Sequence, residues 1–145
     1  MCLIRPNFPA SSILAVASAL RSDGAPASLC FGTDKELIQD GQCQIYAVQF
    51  LDDDGDPWAV RIPVHQTLPT SSIASIVHDE MALMKKLNNT GFLWSPKLTG
   101  GDTGFDNPVG HPYLVMTWVH GDALEWTPTV SIERRSKVLR QLVQI

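Results

Sequence analysis

The chain has 145 residues, about the length of one domain, of which 44% are hydrophobic and 18% are charged. Its net charge of −4 comes without a basic stripe, which leaves nucleic-acid binding without its usual electrostatic basis. No apolar run approaches the roughly 20 residues that cross a bilayer, so we expect neither a nucleic acid nor a membrane as partner.

The first predicted element is a helix over Ile13–Leu20 ("ILAVASAL"), N-capped by Ser11 or Ser12. A signal peptide is the alternative interpretation. Against it, the apolar core is short and Arg5 is the only positive charge that precedes it. We therefore interpret the segment as a helix packed across the domain.

Cysteine and histidine residues are few and scattered. The three cysteines form no CxxC pair and no disulfide framework, which favours a reducing, cytoplasmic location. The four histidines lack the close spacing of zinc ligands. No metal site is therefore predicted through these side chains.

A loop over Arg21–Ser28 is followed by two predicted strands, "KELIQD" and "CQIYAVQFL", which are joined around Gly41. The turn cluster "DDDGDP" comes next, and its Asp-Gly pair predicts a hairpin. A calcium loop is the alternative, but its sixth and twelfth positions would be Pro57 and Pro63 instead of Gly and Glu. We interpret the cluster as a solvated turn that leads into a third strand, "WAVRIP".

The clearest helix of the sequence is Ile73–Leu87. After it we predict a short strand around Leu98, a Gly/Pro-rich connection, an apolar strand "YLVMTW" and a last helix from Ser131 to Ile145. The apolar periodicity of the last helix continues to Ile145 without a capping residue. Two interpretations stay open, a frayed chain end or a fragment of a longer protein.

Glu80 lies within the apolar stripe of the central helix, three residues after Val77 and four before Met84. A carboxylate that faces a core is costly unless a cation pairs with it. Arg61 is the candidate, because it shares a strand face with Ala59 and is an isolated charge in an apolar strand. We predict an Arg61–Glu80 ion pair. The alternatives are a slightly rotated helix face for Glu80 and an edge-strand position for Arg61.

Five segments, in this order, resemble the aminoglycoside-phosphotransferase-like family of the protein-kinase-like fold, especially its fungal branch, where the third strand often reads Arg-Ile-Pro. "GQCQIYAV" is similar to the phosphate-covering hairpin, "WAVRIP" to the third strand and "HDEMALMKKL" to the helix around its Glu. "DNPVGHPYLVMTWVHGDAL" is similar to the fifth strand and hinge. "ERRSKVLRQLVQI" is similar to the start of the helix before the catalytic loop.

The resemblance implies an α+β fold, namely a protein-kinase-like N-lobe with an antiparallel five-stranded sheet and a packed helix. A hinge and the first helix of a truncated C-lobe would follow. The implied organisation is an N-terminal helix and loop (1–30), the N-lobe (31–118), and the hinge with the start of the C-lobe (119–145).

The resemblance also implies a site for the adenine of ATP. The ring would lie between Ala59 and the hinge, with Met116 at the back of the pocket. The backbone carbonyl of Thr117 and the N–H of Val119 would meet the adenine edge. The alternative is that Met116 and Val119 are core residues and Thr117 is an ordinary strand residue.

By the same resemblance, Arg61 would reach the phosphates, held in place by Glu80, under the turn at Gly41. The sequence departs from the family pattern at two of these positions. Gly41 is the single glycine of a hairpin that carries several in protein kinases, and Arg61 replaces the more usual Lys.

Two short motifs are similar to the family's catalytic loop, which reads His-Gly-Asp with an Asn five residues after the Asp. His120-Gly121-Asp122 has Thr127 at that position and directly follows the hinge strand, so we interpret it as a non-catalytic coincidence. Asp102 does have Asn107 five residues later, but the interval after Glu80 is too short for the elements that should lie between. We interpret that segment as a hairpin loop.

The implied function is phosphoryl transfer from ATP to a hydroxyl of an unknown small-molecule acceptor. The catalytic base and the magnesium ligands would belong to the missing lobe, so this chain is expected to be inactive alone, to bind ATP weakly, and to use Mg only if that lobe is supplied. Self-association through the exposed lobe surface is expected. The alternatives are a non-catalytic pseudokinase that binds another protein, and a small α+β protein with no nucleotide site.

Overall fold

The computed structural model describes residues 8–30, 38–40, 43–51, 55–64, 67–120 and 127–143. Within them the chain forms three helices and six strands. In chain order these are α1 (Ala10–Ala19), β1 (Ala27–Leu29), β2 (Ile38–Asp40), β3 (Cys43–Phe50), β4 (Trp58–Pro63), α2 (Thr70–Asn89), β5 (Leu98–Asp102), β6 (Tyr113–Thr117) and α3 (Ile132–Val143).

The strands form one antiparallel sheet with the order β1-β3-β4-β6-β5, in which β2 also pairs with β3. β4 pairs with one edge of β3, so β1 and β2 both lie along the opposite edge of β3. The sheet is therefore five strands wide. The predicted α+β class and the antiparallel sheet are confirmed. The loop predicted over Arg21–Ser28 is wrong at its end, because Ala27 and Ser28 belong to β1 and pair with Phe50 and Gln49.

The main hydrophobic core lies between α1 and one face of the sheet. Alternation along β4 turns Val60 and Ile62 to this face, and both are fully buried. Ile13 and Val16 of α1 pack against them in the same cluster. Ala59 and Arg61 point to the opposite face, as the sequence pattern predicts. The sheet therefore lies between two layers, with α1 on one face and α2 on the other.

Helix α1 begins at Ala10, and its N-cap is Pro9, without a capping hydrogen bond from a side chain. The predicted cap at Ser11 or Ser12 is wrong. The backbone carbonyl of Pro9 accepts the N–H groups of Ser12 and Ile13 instead. Proline is compatible with this position because its fixed φ leads into a helix and its missing N–H would have no partner in the first turn.

Helix α2 starts three residues earlier and ends two residues later than predicted. Ile73 and Val77 are buried, whereas Glu80, Met84 and Leu87 on the same stripe are half-buried. The helix packs against β5 and β6. Its apolar stripe therefore runs from the core to the edge of the sheet, and Glu80 lies at the transition.

Helix α3 begins at Ile132, one residue later than predicted, and the Ser131 hydroxyl accepts the N–H of Arg134. None of its residues is buried. Across the ranges given above, no helix combines the length and the apolar character needed to cross a membrane.

Candidate functional site

The centre of the candidate site is the ion pair between Arg61 on β4 and Glu80 on α2. The Nη1 group of Arg61 donates to Oε2 of Glu80 at 2.5 Å. The two residues are 19 positions apart in sequence, so the pair joins the sheet to the helix that covers it. The predicted ion pair is confirmed.

The surroundings of the pair decide between the alternatives for each residue. Arg61 lies on β4, which is flanked by β3 and β6, so the edge-strand interpretation is wrong. Its cross-strand neighbours are Ile45 and Leu114, and Leu114 is fully buried. The side chains of Arg61 and Glu80 are 27% and 33% exposed. The pair is therefore half-buried and can be reached from solvent.

Two of the predicted adenine contacts are neighbours on the same face as Arg61. Ala59 lies directly opposite Met116 across the β4–β6 ladder, two residues from Arg61 along the strand. On the other side of Ala59 lies Ala47 of β3, a position that sequence reasoning missed. Only the register of the β3–β4 hairpin could have revealed it. The three side chains form a row across the sheet.

Two of the three side chains in the row of Ala47, Ala59 and Met116 are alanines, which project little from the sheet. Ala47 and Ala59 are 1% and 7% exposed. A planar ring that contacted them would have to displace the groups that now cover them. Such a displacement lowers the affinity for a ligand.

The remaining predicted contacts lie at the ends of strands. Thr117 ends β6, and both its N–H and its hydroxyl oxygen are bonded to the backbone of Lys97 at 2.9 Å. Val119 follows β6 and is 66% exposed, so its interpretation as a core residue is wrong. Gly41 lies outside the described residues. The flanking Asp40 and Cys43 do pair with each other, as a hairpin requires.

The His120-Gly121-Asp122 triplet has one member in the described part of the chain. Nε2 of His120 lies 2.8 Å from Oδ1 of Asp56, and both side chains are well exposed. Asp56 lies two residues before β4, so this contact joins the segment after β6 to the segment before β4. The histidine therefore has a partner next to the sheet.

In the other motif that is similar to a catalytic loop, Asp102 ends β5 and Asn107 lies in the connection between β5 and β6. Nδ2 of Asn107 donates to the carbonyls of Gly104 and His111 at 2.9 and 3.1 Å. Its Oδ1 accepts N–H groups from the loop backbone. Oδ1 of Asp102 accepts the N–H of Gly104 at 2.7 Å. These hydrogen bonds fold the loop, and the hairpin-loop interpretation is confirmed.

His111 is a half-buried histidine of the β5–β6 loop. Its Nε2 lies 2.7 Å from the carbonyl of Pro63, and its ring packs against Phe8 and Phe105. Burial lowers the pKa of His111, and the bond to Pro63 partly offsets this effect. The neutral ring, donating from Nε2, is therefore the form that the fold favours. It fastens the β5–β6 loop to the end of β4.

Among the described residues, no three His, Cys, Asp or Glu side chains are grouped in a way that could hold a metal ion. Cys30 is half-buried and Cys43 is buried, and no disulfide joins the two. Comparison of the chain with protein-family models, curated proteins and solved structures found no match. The candidate site is therefore defined by the geometry of its own residues.

Proposed function

We propose that this chain is the nucleotide-binding lobe of a kinase-like phosphotransferase and that Arg61 binds the phosphates of ATP. The observation that carries the proposal is the 2.5 Å ion pair between Arg61 and Glu80. In kinase-like enzymes, a strand cation holds the nucleotide phosphates and a helix Glu orients that cation. The same two roles are available here on a strand and a helix of matching order.

The chemistry of the pair suits a phosphate ligand. A guanidinium group has five N–H donors in a planar fork, so it can hold a carboxylate and a phosphate at the same time. Arg61 and Glu80 are about a quarter to a third exposed, which lets an anion approach while the charges are partly shielded from bulk water. Such charge-assisted hydrogen bonds are stronger than neutral ones.

The positions of Ala59 and Arg61 along β4 set the orientation in which a nucleotide would bind. Ala59, opposite Met116, lies at the hinge end of the strand. Arg61 lies two residues further, about 7 Å along a strand, next to the end where Pro63 pairs with Cys43. Adenine would lie at Ala59 and the phosphates at Arg61, near the β2–β3 hairpin. Because the two alanines of the row are covered, we expect weak binding.

In this proposal the residues that the structure describes bind the nucleotide, and none of them carries out the transfer of a phosphoryl group. No magnesium ligands are assigned, because no acidic cluster of the required kind occurs among them. Magnesium would enter with the nucleotide phosphates. The acceptor in the proposed reaction is a hydroxyl of a small molecule whose identity these residues do not specify.

The second candidate, a non-catalytic pseudokinase module, is favoured by one feature. Helix α3 has no buried residue, and Ile132, Leu142 and Val143 are 82%, 60% and 87% exposed. An apolar surface of this kind suits a protein partner. The two candidates differ in nucleotide binding, which the module does not require.

Titration calorimetry with MgATP tests the proposal. We expect weak binding by the wild type and a loss of roughly 10- to 100-fold in affinity for Arg61→Ala, from the loss of one or more charge-assisted hydrogen bonds. Arg21→Ala is the matched control, because Arg21 also pairs with a carboxylate, that of Asp23, at 2.5 Å. That variant should bind MgATP like the wild type.

Two results would contradict the proposal. One is the absence of MgATP binding by a wild type that circular dichroism shows to be folded. The other is an equal loss of affinity in Arg61→Ala and Arg21→Ala, which would trace the effect to general destabilisation. Arg61→Lys separates charge from geometry, since it retains the cation but loses the fork.

A further inference from the structure

The loop between α2 and β5, residues 91–96, carries two of the most exposed apolar side chains that the structure describes. Leu93 is 91% exposed and Trp94 is 76% exposed. They are adjacent in the sequence and lie at the point where the chain turns back from the helix to the sheet. We call residues 91–96 the tip loop.

The tip loop is held in place by hydrogen bonds at both ends. Gly91 has φ +74°, its N–H donates to the carbonyl of Asn88, and the N–H of Phe92 donates to the carbonyl of Leu87. These bonds form a Schellman motif, which ends the helix. Nδ2 of Asn88 donates to Pro96 O, and Oδ1 accepts Leu98 N–H. The exposure of Leu93 and Trp94 is therefore built into the fold.

The charge around the tip loop is opposite to that of the whole chain. Residues 81–101 contain Lys85, Lys86 and Lys97 and no Asp or Glu, whereas the chain has a net charge of −4. All three lysines are exposed. Lys85 and Lys86 belong to the end of α2, and Lys97 directly follows the tip loop. An apolar projection is thus flanked by positive charge on both sides.

We propose that the tip loop docks on the surface of an anionic lipid bilayer. Leu93 and Trp94 enter the interfacial layer, where an indole ring is favoured. Lys85, Lys86 and Lys97 contact lipid phosphates, and such contacts strengthen an anchor that is weak on apolar insertion alone. The contact is peripheral, so it does not require a helix that crosses the membrane. It departs from the expectation of no membrane partner.

The small size of the tip favours a bilayer over a protein partner. Large apolar side chains bury at most about 150–250 Å² each, so two of them supply well under the roughly 800 Å² that each partner contributes to a stable protein interface. A bilayer needs no shape-complementary surface. The proposal is independent of nucleotide binding, since Arg61 and Glu80 take no part in it.

Vesicle co-sedimentation of the full chain tests the proposal, using phosphatidylcholine vesicles with and without phosphatidylserine. We expect binding only to vesicles that contain phosphatidylserine. Lys85→Gln, Lys86→Gln and Lys97→Gln together should weaken it about 100-fold, at roughly fivefold per lysine. The double variant Leu93→Ser, Trp94→Ser should weaken it at least about tenfold.

The matched control is Leu139→Ser with Leu142→Ser, which removes exposed leucines from the basic helix α3 and leaves the tip loop intact. It should bind like the wild type. The proposal is overturned if the chain ignores vesicles that contain phosphatidylserine, if it binds both compositions equally, or if only the α3 variant loses binding. Self-association through the tip loop, seen as a sedimentation change that Leu93→Ser, Trp94→Ser abolishes without lipid, would also overturn it.

A spectroscopic experiment reports the depth of Trp94 directly. Lipids with brominated acyl chains quench the fluorescence of an indole that enters the bilayer. We expect quenching in the wild type and its loss in Trp94→Phe, which retains most of the apolar surface and should still co-sediment. Equal quenching in both proteins would place a different tryptophan in the membrane and contradict the proposal.

Discussion

A double-mutant cycle on Arg61 and Glu80 measures how firmly the ion pair holds α2 to the sheet. Arg61→Met and Glu80→Gln remove the charges and keep most of the side-chain volume. Exposed ion pairs contribute about 0–1 kcal/mol to the free energy of unfolding, whereas breaking a buried pair costs about 3–5 kcal/mol. With side chains 27% and 33% exposed, the Arg61–Glu80 pair lies between these cases. We expect a coupling energy of about 1–2 kcal/mol.

Urea denaturation of the four proteins, followed by circular dichroism, gives the coupling energy. Each single variant should also lower Tm by about 3–8 °C, given the size of the chain. Arg21 and Asp23 form the matched control pair, with the same 2.5 Å separation. They are two residues apart, so their pair can persist in the unfolded chain and should couple more weakly. A coupling for Arg61–Glu80 no larger than that of the control would refute this reasoning.

Three further perturbations test other parts of the fold. Burial lowers the pKa of His111 below its ordinary 6.5, so the folded state resists protonation. Stability should therefore be full above pH 6.5 and fall as the pH decreases. His111→Asn should flatten that pH dependence of stability in urea titrations. Ile62 is fully buried, so Ile62→Ala should lower the unfolding free energy by about 2–5 kcal/mol, whereas a loss under 1 kcal/mol by chemical denaturation would contradict its place in the core. Gly91 has φ +74°, so Gly91→Ala should cost about 1–2 kcal/mol, and thermal unfolding that matches the wild type would argue against the Schellman motif.

The elements that carry the ion pair could be predicted because their signals are local. The alternation in "WAVRIP" gave the bounds of β4 to the residue and the faces of Ala59 and Arg61. The periodicity of α2 placed Glu80 on the stripe that faces the sheet. One charge on an apolar strand and one on an apolar helix stripe are sufficient grounds to expect that they meet.

Other features depend on partners that are distant in sequence. β1 has three residues, and its strand conformation rests on pairing with the end of β3. Ala47 joined the site through the register of a hairpin. The contact between His120 and Asp56 spans 64 positions. The half-buried state of Glu80 likewise depends on how far α2 extends past the sheet. Local patterns contain none of this information.

The side-chain amide of Asn107 shapes the β5–β6 loop through four hydrogen bonds, of which it donates two and accepts two. Asparagine in a glycine-rich loop commonly undergoes deamidation. In this reaction the backbone nitrogen of the following residue loses its hydrogen and attacks the side-chain carbonyl carbon. Here the following residue is Pro108, which has no N–H. The amide on which the loop depends is thus shielded from this route to aspartate, which should help the connection to keep its shape.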